Sequence, residues 1–369
     1  MRVIKKFFKF FGIFLIALFA FSYLYIMTSK TFGKNPDGQR LEKIKQSPNY
    51  KNDIFQNLSQ TEVMLPGASM GKMLREYFNK SKLTEPPKRL PSVKTDLKNI
   101  QAETPSIVWF GHSSYLIKSN NFTILVDPVF SGNASPISLF GKSFEGSDIY
   151  NPSDFPVIDL LIITHDHYDH LDYKTIQKMH PNVKQIVTSL GVGAHLEYWG
   201  IDTSKITELD WWQNAKIAKD IEITATPARH FSGRLFKRGK TLWSSFVLKI
   251  HGFQIFIGGD SGYDTHFKTI NEKFGTFDIA FLECGQYGEN WPLIHTFPEQ
   301  TVLAAKDLKT KVLFPVHWGK FALANHDWNE PIKKLIAKAK QENIQYTTPK
   351  IGEMIQLNTA LPTENWWDF

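Results

Sequence analysis

Cys284 is the only cysteine in 369 residues. No disulfide can close within the chain, no thiolate cage can hold a structural zinc, and no cysteine near the amino terminus is available for lipid attachment. Charge is missing from one long stretch: Phe10 to Met27 carry none, and Arg2, Lys5, Lys6 and Lys9 precede them. A helix needs about 20 apolar residues to cross a bilayer, and a basic flank stays in the cytoplasm. The segment therefore reads as a single-pass anchor that leaves the rest of the chain outside the cytoplasm. Secretion after cleavage at Ala20-Phe21-Ser22 is the competing reading, but the apolar run continues past that site. A buried core helix is disfavoured, because the run is apolar on every face and sits at the extreme terminus.

Internal repeats and low-complexity tracts are also missing. The net charge of +7 comes from scattered lysines, four of the positive charges flanking the apolar run. A stripe of basic residues along one helix would argue for nucleic acid; this scatter argues against it and suits an anionic lipid surface. Three segments follow: an anchor over 1–28, a polar lead-in over 29–104 that wraps or spaces the rest, and a main domain over 105–369 of a size that one α/β domain fills. The sequence leaves the oligomeric state open. Among the aromatics, Trp211-Trp212, Trp291 and Trp366-Trp367 read mainly as core, with Trp291 and Trp366 also candidates for a membrane interface.

What is present is concentrated chemistry. Thr164-His165-Asp166-His167-Tyr168-Asp169-His170-Leu171-Asp172 packs three imidazoles and three carboxylates into nine residues after an apolar strand. Imidazole and carboxylate suit zinc and its neighbours, and a site built from them leaves a position open for water. With a period of two, His165 and His167 fall on one side, while Asp169 and His170 continue into a turn and can face a second ion. A hydrated surface turn has no need of such density.

Other candidate ligands lie at the ends of apolar strands. Ile221 to Arg229 leads to His230, Phe253 to Gly259 leads to Asp260, and Lys311 to Val316 leads to His317. Strand ends converging on one rim are how α/β proteins assemble sites from distant sequence. Gly258-Gly259 and Gly262 let backbone approach closely around Asp260. A metal-bound imidazole gives its other N–H to a carboxylate or carbonyl, and Asp127, Asp172 and Glu283 are the candidate acceptors. His112, at the end of the strand Ile107 to Phe110, approaches the same rim as a supporting residue rather than a ligand. Tyr168 and Tyr263 are near enough in sequence to line the site, although packing explains them better. His180, His195, His251, His266 and His326 follow no strand aimed at the rim and read as structural.

His165-x-His167-x-Asp169-His170 with distant His230, Asp260 and His317 resembles the metallo-β-lactamase-fold hydrolases. The likeness narrows to N-acylphosphatidylethanolamine-hydrolysing phospholipase D and its bacterial relatives. It is carried by Trp109-Phe-Gly-His-Ser-Ser-Tyr115, Asp127-Pro-Val-Phe-Ser131, Ala134-Ser-Pro136, Glu208-Leu-Asp-Trp-Trp212, Gly259-Asp-Ser-Gly-Tyr263 and the run from His317 to Asn325. It covers roughly Ser106 to Leu335. Leu282 to Gly288 and the amino-terminal region depart from the mammalian enzyme. The resemblance implies two zinc ions, with manganese or iron also accepted by such ligands. His165, His167 and His230 would hold one, Asp169, His170 and His317 the other, and Asp260 would bridge. His295, which by its place before a helix reads equally as an exposed loop histidine, would by the resemblance reach a substrate phosphate, and Asp169 and Asp260 would work with a hydroxide held by the metals.

The implied fold is an αββα four-layer sandwich with an amino-terminal transmembrane helix. Periodicity alone gives an α/β class, with strands such as Phe122 to Val126 and Ser245 to Ile250 and helices over Tyr173 to His180 and Glu299 to Leu308. Two divalent ions less two carboxylates and a hydroxide leave about one positive charge, which favours an anionic phosphodiester. The expected function is a membrane-anchored phosphodiesterase that cleaves a phospholipid to phosphatidic acid and its head-group alcohol. A lactonase or other carbonyl hydrolase is the first alternative, and a non-catalytic metal-binding protein the second.

Overall fold

The computed structural model describes residues 2–234 and 237–369. It begins with α1 (Arg2–Thr28), whose segment Ile4–Thr28 is long and apolar enough to cross a membrane and is not buried within the rest of the chain. The lead-in holds α2 (Gly38–Lys45), the two-residue strands β1 (Tyr50–Lys51) and β2 (Ile54–Phe55), and α3 (Met70–Phe78). Despite its polar composition it buries Phe32, Ile44, Phe55, Leu90, Leu97 and Ile100. Ile44 and Phe55 pack with Leu190, Trp211, Ala228, Leu242 and Trp243. The lead-in therefore lies against the domain.

The first sheet is built by β3 (Ser106–Trp109), β4 (Tyr115–Ser119), β5 (Phe122–Val126), β6 (Ile158–Ile163), β7 (Val183–Ser189) and β8 (Ile206–Leu209), with α4 (Tyr173–Met179) and α5 (Gly193–Tyr198) in its crossovers. The second contains β9 (Asn214–Ala218), β10 (Ile221–Thr226), β11 (Ser245–Ile250), β12 (Phe253–Ile257), β13 (Ile279–Glu283) and β14 (Leu313–Val316), with α6 (His266–Phe274) and α7 (Pro298–Asp307) between strands. After α8 (Glu330–Glu342), β15 (Met354–Gln356) returns to the first sheet beside β3. The orders are β15-β3-β4-β5-β6-β7-β8 and β14-β13-β12-β11-β10-β9. In each sheet one end is antiparallel and the other, β5 to β8 or β12 to β14, is parallel.

Strand alternation explains the layers. Ile107, Trp109, Ile124, Val126, Leu160 and Ile162 point into the space shared with the second sheet. Their neighbours Val108, Phe110, Leu125, Leu161 and Ile163 point the other way, onto Ile176, Met179, Leu196 and Trp199 of the α4–α5 region. Both faces are apolar because both are covered, as crossover helices require. Across the centre Tyr115 stacks on Phe281 at 4.0 Å. This is the four-layer sandwich. Trp366 and Trp367 are buried with Trp109 and Trp318, so Trp366 is core and the interfacial expectation for it is corrected.

Candidate metal centre

The carboxyl ends of β5, β6, β12, β13 and β14 meet at one rim. Beyond β6, Thr164 gives its amide and hydroxyl to the two oxygens of Asp127, at 2.8 and 2.6 Å. The next turn brings His165 Nε2 to 3.0 Å from His167 Nδ1, and His230 Nε2 lies 3.1 Å from that same atom. Asp260 follows β12 through Gly259, whose φ is +59° and where a Cβ would come 3.0 Å from Thr164 Cβ. Glycine thus allows the Asp260 turn to press against the histidine loop.

Asp260 faces two ways. Its Oδ2 is 3.7 Å from both His165 Nε2 and His230 Nε2. Its Oδ1 is 3.2 Å from His170 Nε2 and 3.1 Å from His317 Nδ1. Two clusters of donor atoms result, His165, His167, His230 and Asp260 on one side and His112, Asp169, His170 and His317 on the other. A third overlaps them: Asp260, Glu283, His295 and His317.

The donors fit divalent ions. Ligand atoms on a tetrahedron with bonds of about 2.0–2.1 Å stand about 3.3 Å apart, close to the separations here. Three imidazole nitrogens that converge within about 3 Å cannot all satisfy one another by hydrogen bonds, since each pair admits one proton. His170 Nε2 and Asp260 Oδ1 are buried without a hydrogen-bond partner although they face each other. Protonation states agree. Burial keeps His165, His230 and His317 well below the ordinary imidazole range, so they are neutral. Burial pushes Asp169 and Asp260 up, but surrounding imidazoles, His170 foremost, outweigh it and hold both ionised. Burial also lowers His170, yet Asp260, Asp169 and Asp127 raise it above its usual value. A cation at its Nε2 would replace that proton.

The supports differ between the halves. His170 gives Nδ1 to Asp127 at 2.8 Å, His112 Nε2 meets Asp169 Oδ2 at 2.9 Å, and Ser113 Oγ lies 3.1 Å from His317 Nδ1. His230 Nδ1 instead reaches the Ile294 carbonyl at 2.8 Å, and His165 Nδ1 lies 3.0 Å from the Thr164 hydroxyl. His112, Asp127 and His317 have φ of 54°, 40° and 67°. These are left-handed conformations that cost non-glycine residues energy and concentrate at functional sites. His112 and His317 pair through backbone, His317 N donating to His112 O at 2.9 Å.

Glu283 accepts from His295 Nδ1 at 2.6 Å and from the Ser261 amide at 2.8 Å. Burial pushes Glu283 up to about 7. Burial would lower His295, but Glu283 beside it raises it to about 9.

One expectation is corrected. Asp172 serves no imidazole; it caps α4, accepting from the Lys174 amide, the Ser131 amide and the Thr175 hydroxyl. Tyr263 turns away, its hydroxyl on Asp307 at 2.7 Å. Tyr168 packs edge-on against Phe32 and donates its hydroxyl to the Arg234 carbonyl. Other contributors escaped the sequence reading. His195, read as structural, stands 3.1 Å from Asp166, which also accepts from the Gly233 amide and the Thr241 hydroxyl. Arg234, 4 % exposed, donates to the carbonyls of Asp166, Leu171 and, in the lead-in, Thr31. Asn57, also in the lead-in, brackets His230 by bonding its amide and carbonyl. A cavity of ≈ 320 Å³ opens beside this bracket, lined in part by Phe55, Val63, Phe231, Arg238 and Trp243.

Comparison with known proteins agrees with the geometry. The Beta-lactamase superfamily domain matches residues 123–318. An uncharacterised protein of Mycobacterium tuberculosis is 34 % identical over 327 residues, 87 % of this chain and 88 % of that one. The N-acyl-phosphatidylethanolamine-hydrolyzing phospholipase D 1 of Caenorhabditis elegans is 29 % identical over 269 residues, 67 % of this chain and 74 % of that one. Among solved structures, a metallo hydrolase from the archaeon Ignicoccus hospitalis superposes with a TM-score of 0.54 at 21 % identity, covering 70 % of this chain and all of that one.

Proposed function

Since the chain belongs to the β-lactamase superfamily of metal-dependent hydrolases, we propose that it is a membrane-anchored, two-metal phosphodiesterase acting on a phospholipid of the N-acylphosphatidylethanolamine type. The observation that carries this reading is the Asp260 carboxylate, one oxygen toward each imidazole cluster. The relative named for that phospholipid supports the substrate class, and α1 supports the anchor. Residues 1–28 are then the anchor, 29–104 a lead-in that braces the site, and 105–369 the hydrolase domain.

His165, His167 and His230 would hold one ion, Asp169, His170 and His317 the other, with Asp260 between them. Zinc is the first candidate and manganese or iron the next. Such ions lower the pKa of water to about 7 and stabilise charge on phosphoryl oxygens. The chain's own residues do the rest. Asp169 and Asp260 cancel part of the ionic charge and leave the centre cationic, which selects an anionic phosphodiester over a neutral amide. His112 and Asp127 fix the orientation of Asp169 and His170. His295, with Nδ1 occupied by Glu283, keeps Nε2 free to hold a proton for a phosphoryl oxygen or the departing alcohol.

The test is release of phosphatidic acid from N-acylphosphatidylethanolamine by the full chain in detergent with zinc. Chelation and Asp260→Asn are each expected to lower the rate by more than about a hundredfold. If metal-loaded protein releases none, the phospholipid assignment fails and lactones become the next substrates to try.

A further inference from the structure

Residues 132–142 form a hairpin that is braced yet exposes its apolar side chains. The Ala134 amide donates to Gly141 O at 2.8 Å and Ser143 to Gly132 O at 3.0 Å. The Asn133 side chain donates to Ser138 O at 3.0 Å. At the tip Ile137, Leu139 and Phe140 are 42 %, 76 % and 60 % exposed. Scattered exposed apolar residues need no explanation, but three within four residues on a tied turn mark an interaction surface.

Two sets of contacts say what covers it. At one side the hydroxyl of Tyr25, in the last turn of α1, donates to Pro136 O at 3.3 Å. Tyr25 is edge-on to Phe32, and Phe32 to Tyr168 of the histidine loop, with centroids 5.9 and 6.3 Å apart. At the base of the hairpin, Ala134 packs with Val129 and Phe321, and the Phe321 ring meets that of His112 at 5.2 Å. The hairpin thus joins the end of the apolar helix to the edge of the metal centre. Lys142, at the end of the hairpin, and Lys30, just past the end of α1, are exposed, as cationic residues at an anionic headgroup layer would be.

We propose that this hairpin is an interfacial foot whose partner is the bilayer that holds α1. Ile137, Leu139 and Phe140 enter the boundary between headgroups and acyl chains, and Lys142 stays with the headgroups. The foot sets the height and tilt of the metal centre over the membrane, so that a phosphodiester is met at its own depth. This rests on the anchor part of the proposed function.

The test uses full-chain protein in nanodiscs of phosphatidylcholine and phosphatidylglycerol. Leu139→Cys, Phe14→Cys in α1 and Lys219→Cys in the distant β9–β10 turn are each labelled with an environment-sensitive fluorophore; Cys284 is fully buried and stays unlabelled. Blue-shifted emission, quenched by nitroxide-bearing lipids, is expected at 139 and 14 and not at 219. If position 14 is quenched and 139 behaves like 219, the foot is wrong and the anchor stands. A blue shift at 139 without lipid quenching would mean that protein, a second copy included, covers the hairpin, and the proposal fails. Loss of quenching at both 14 and 139 removes the anchor and the foot together.

Discussion

Around His165 and His230 the rings rest on a hydroxyl and a carbonyl and further bonds grip the backbone, whereas on the other side a carboxylate holds the His170 ring and an imidazole holds the Asp169 carboxylate. Asn57 brackets the His230 main chain, and Arg234 grips the carbonyl of Asp166 between the two loop histidines. On the other side Asp127 holds the His170 ring and His112 holds the Asp169 carboxylate. A carboxylate behind an imidazole raises its basicity, while a carbonyl or hydroxyl mainly fixes its orientation. In the proposed centre the half containing His170 would therefore favour affinity and the half containing His230 geometry. The second depends on the lead-in, which supplies Asn57 and Thr31.

The largest effect that would break this contrast is Arg234→Met. It removes three charge-assisted hydrogen bonds, and a loss of about 3 kcal/mol in stability is expected, read by denaturant unfolding of the metal-free protein. An unchanged midpoint would mean that the backbone brace is idle. Next is Asp127→Asn, which weakens the ion at His170 by about 10- to 100-fold. In the native protein a chelator should strip the His230 half first, leaving one tightly held equivalent; in the variant that order is lost. Metal analysis during stepwise chelation decides it, and an unaltered order would remove the asymmetry.

The smallest effect is on pH dependence, from the Glu283–His295 pair beside both halves. His295 is raised to about 9, so its contribution to stability is full below its ordinary 6.5 and is lost as pH climbs through 9. Glu283, raised to about 7 by burial, stabilises only while protonated, and that contribution has gone once pH passes 7. Both decline in the same direction. The metal-free protein is expected to lose thermal stability between pH 6.5 and 9 more steeply than His295→Asn. Parallel slopes would show that His295 is not raised.

Much of this centre was legible along the chain because its donors sit in a dense loop or just past apolar strands. Strands Phe122–Val126 and Ser245–Ile250 and a helix starting at Tyr173 occur where periodicity puts them. Asp172 was misread because a carboxylate beside histidines and one opening a helix look alike in sequence; three donors at α4 decide for the cap. Arg234, Asn57 and His195 carried no signal, since each acts on backbone or on Asp166 across 29 to 203 positions.

By itself, then, the sequence determined the candidate donor set, the apolar helix and the alternation that builds two covered sheets, because these depend on residue type and near spacing. Only the tertiary structure decided that one carboxylate faces two clusters, that the polar lead-in braces a histidine, and that an apolar hairpin meets the end of the first helix. Those relations depend on which distant backbones approach within a hydrogen bond, and that is set by packing of the whole chain.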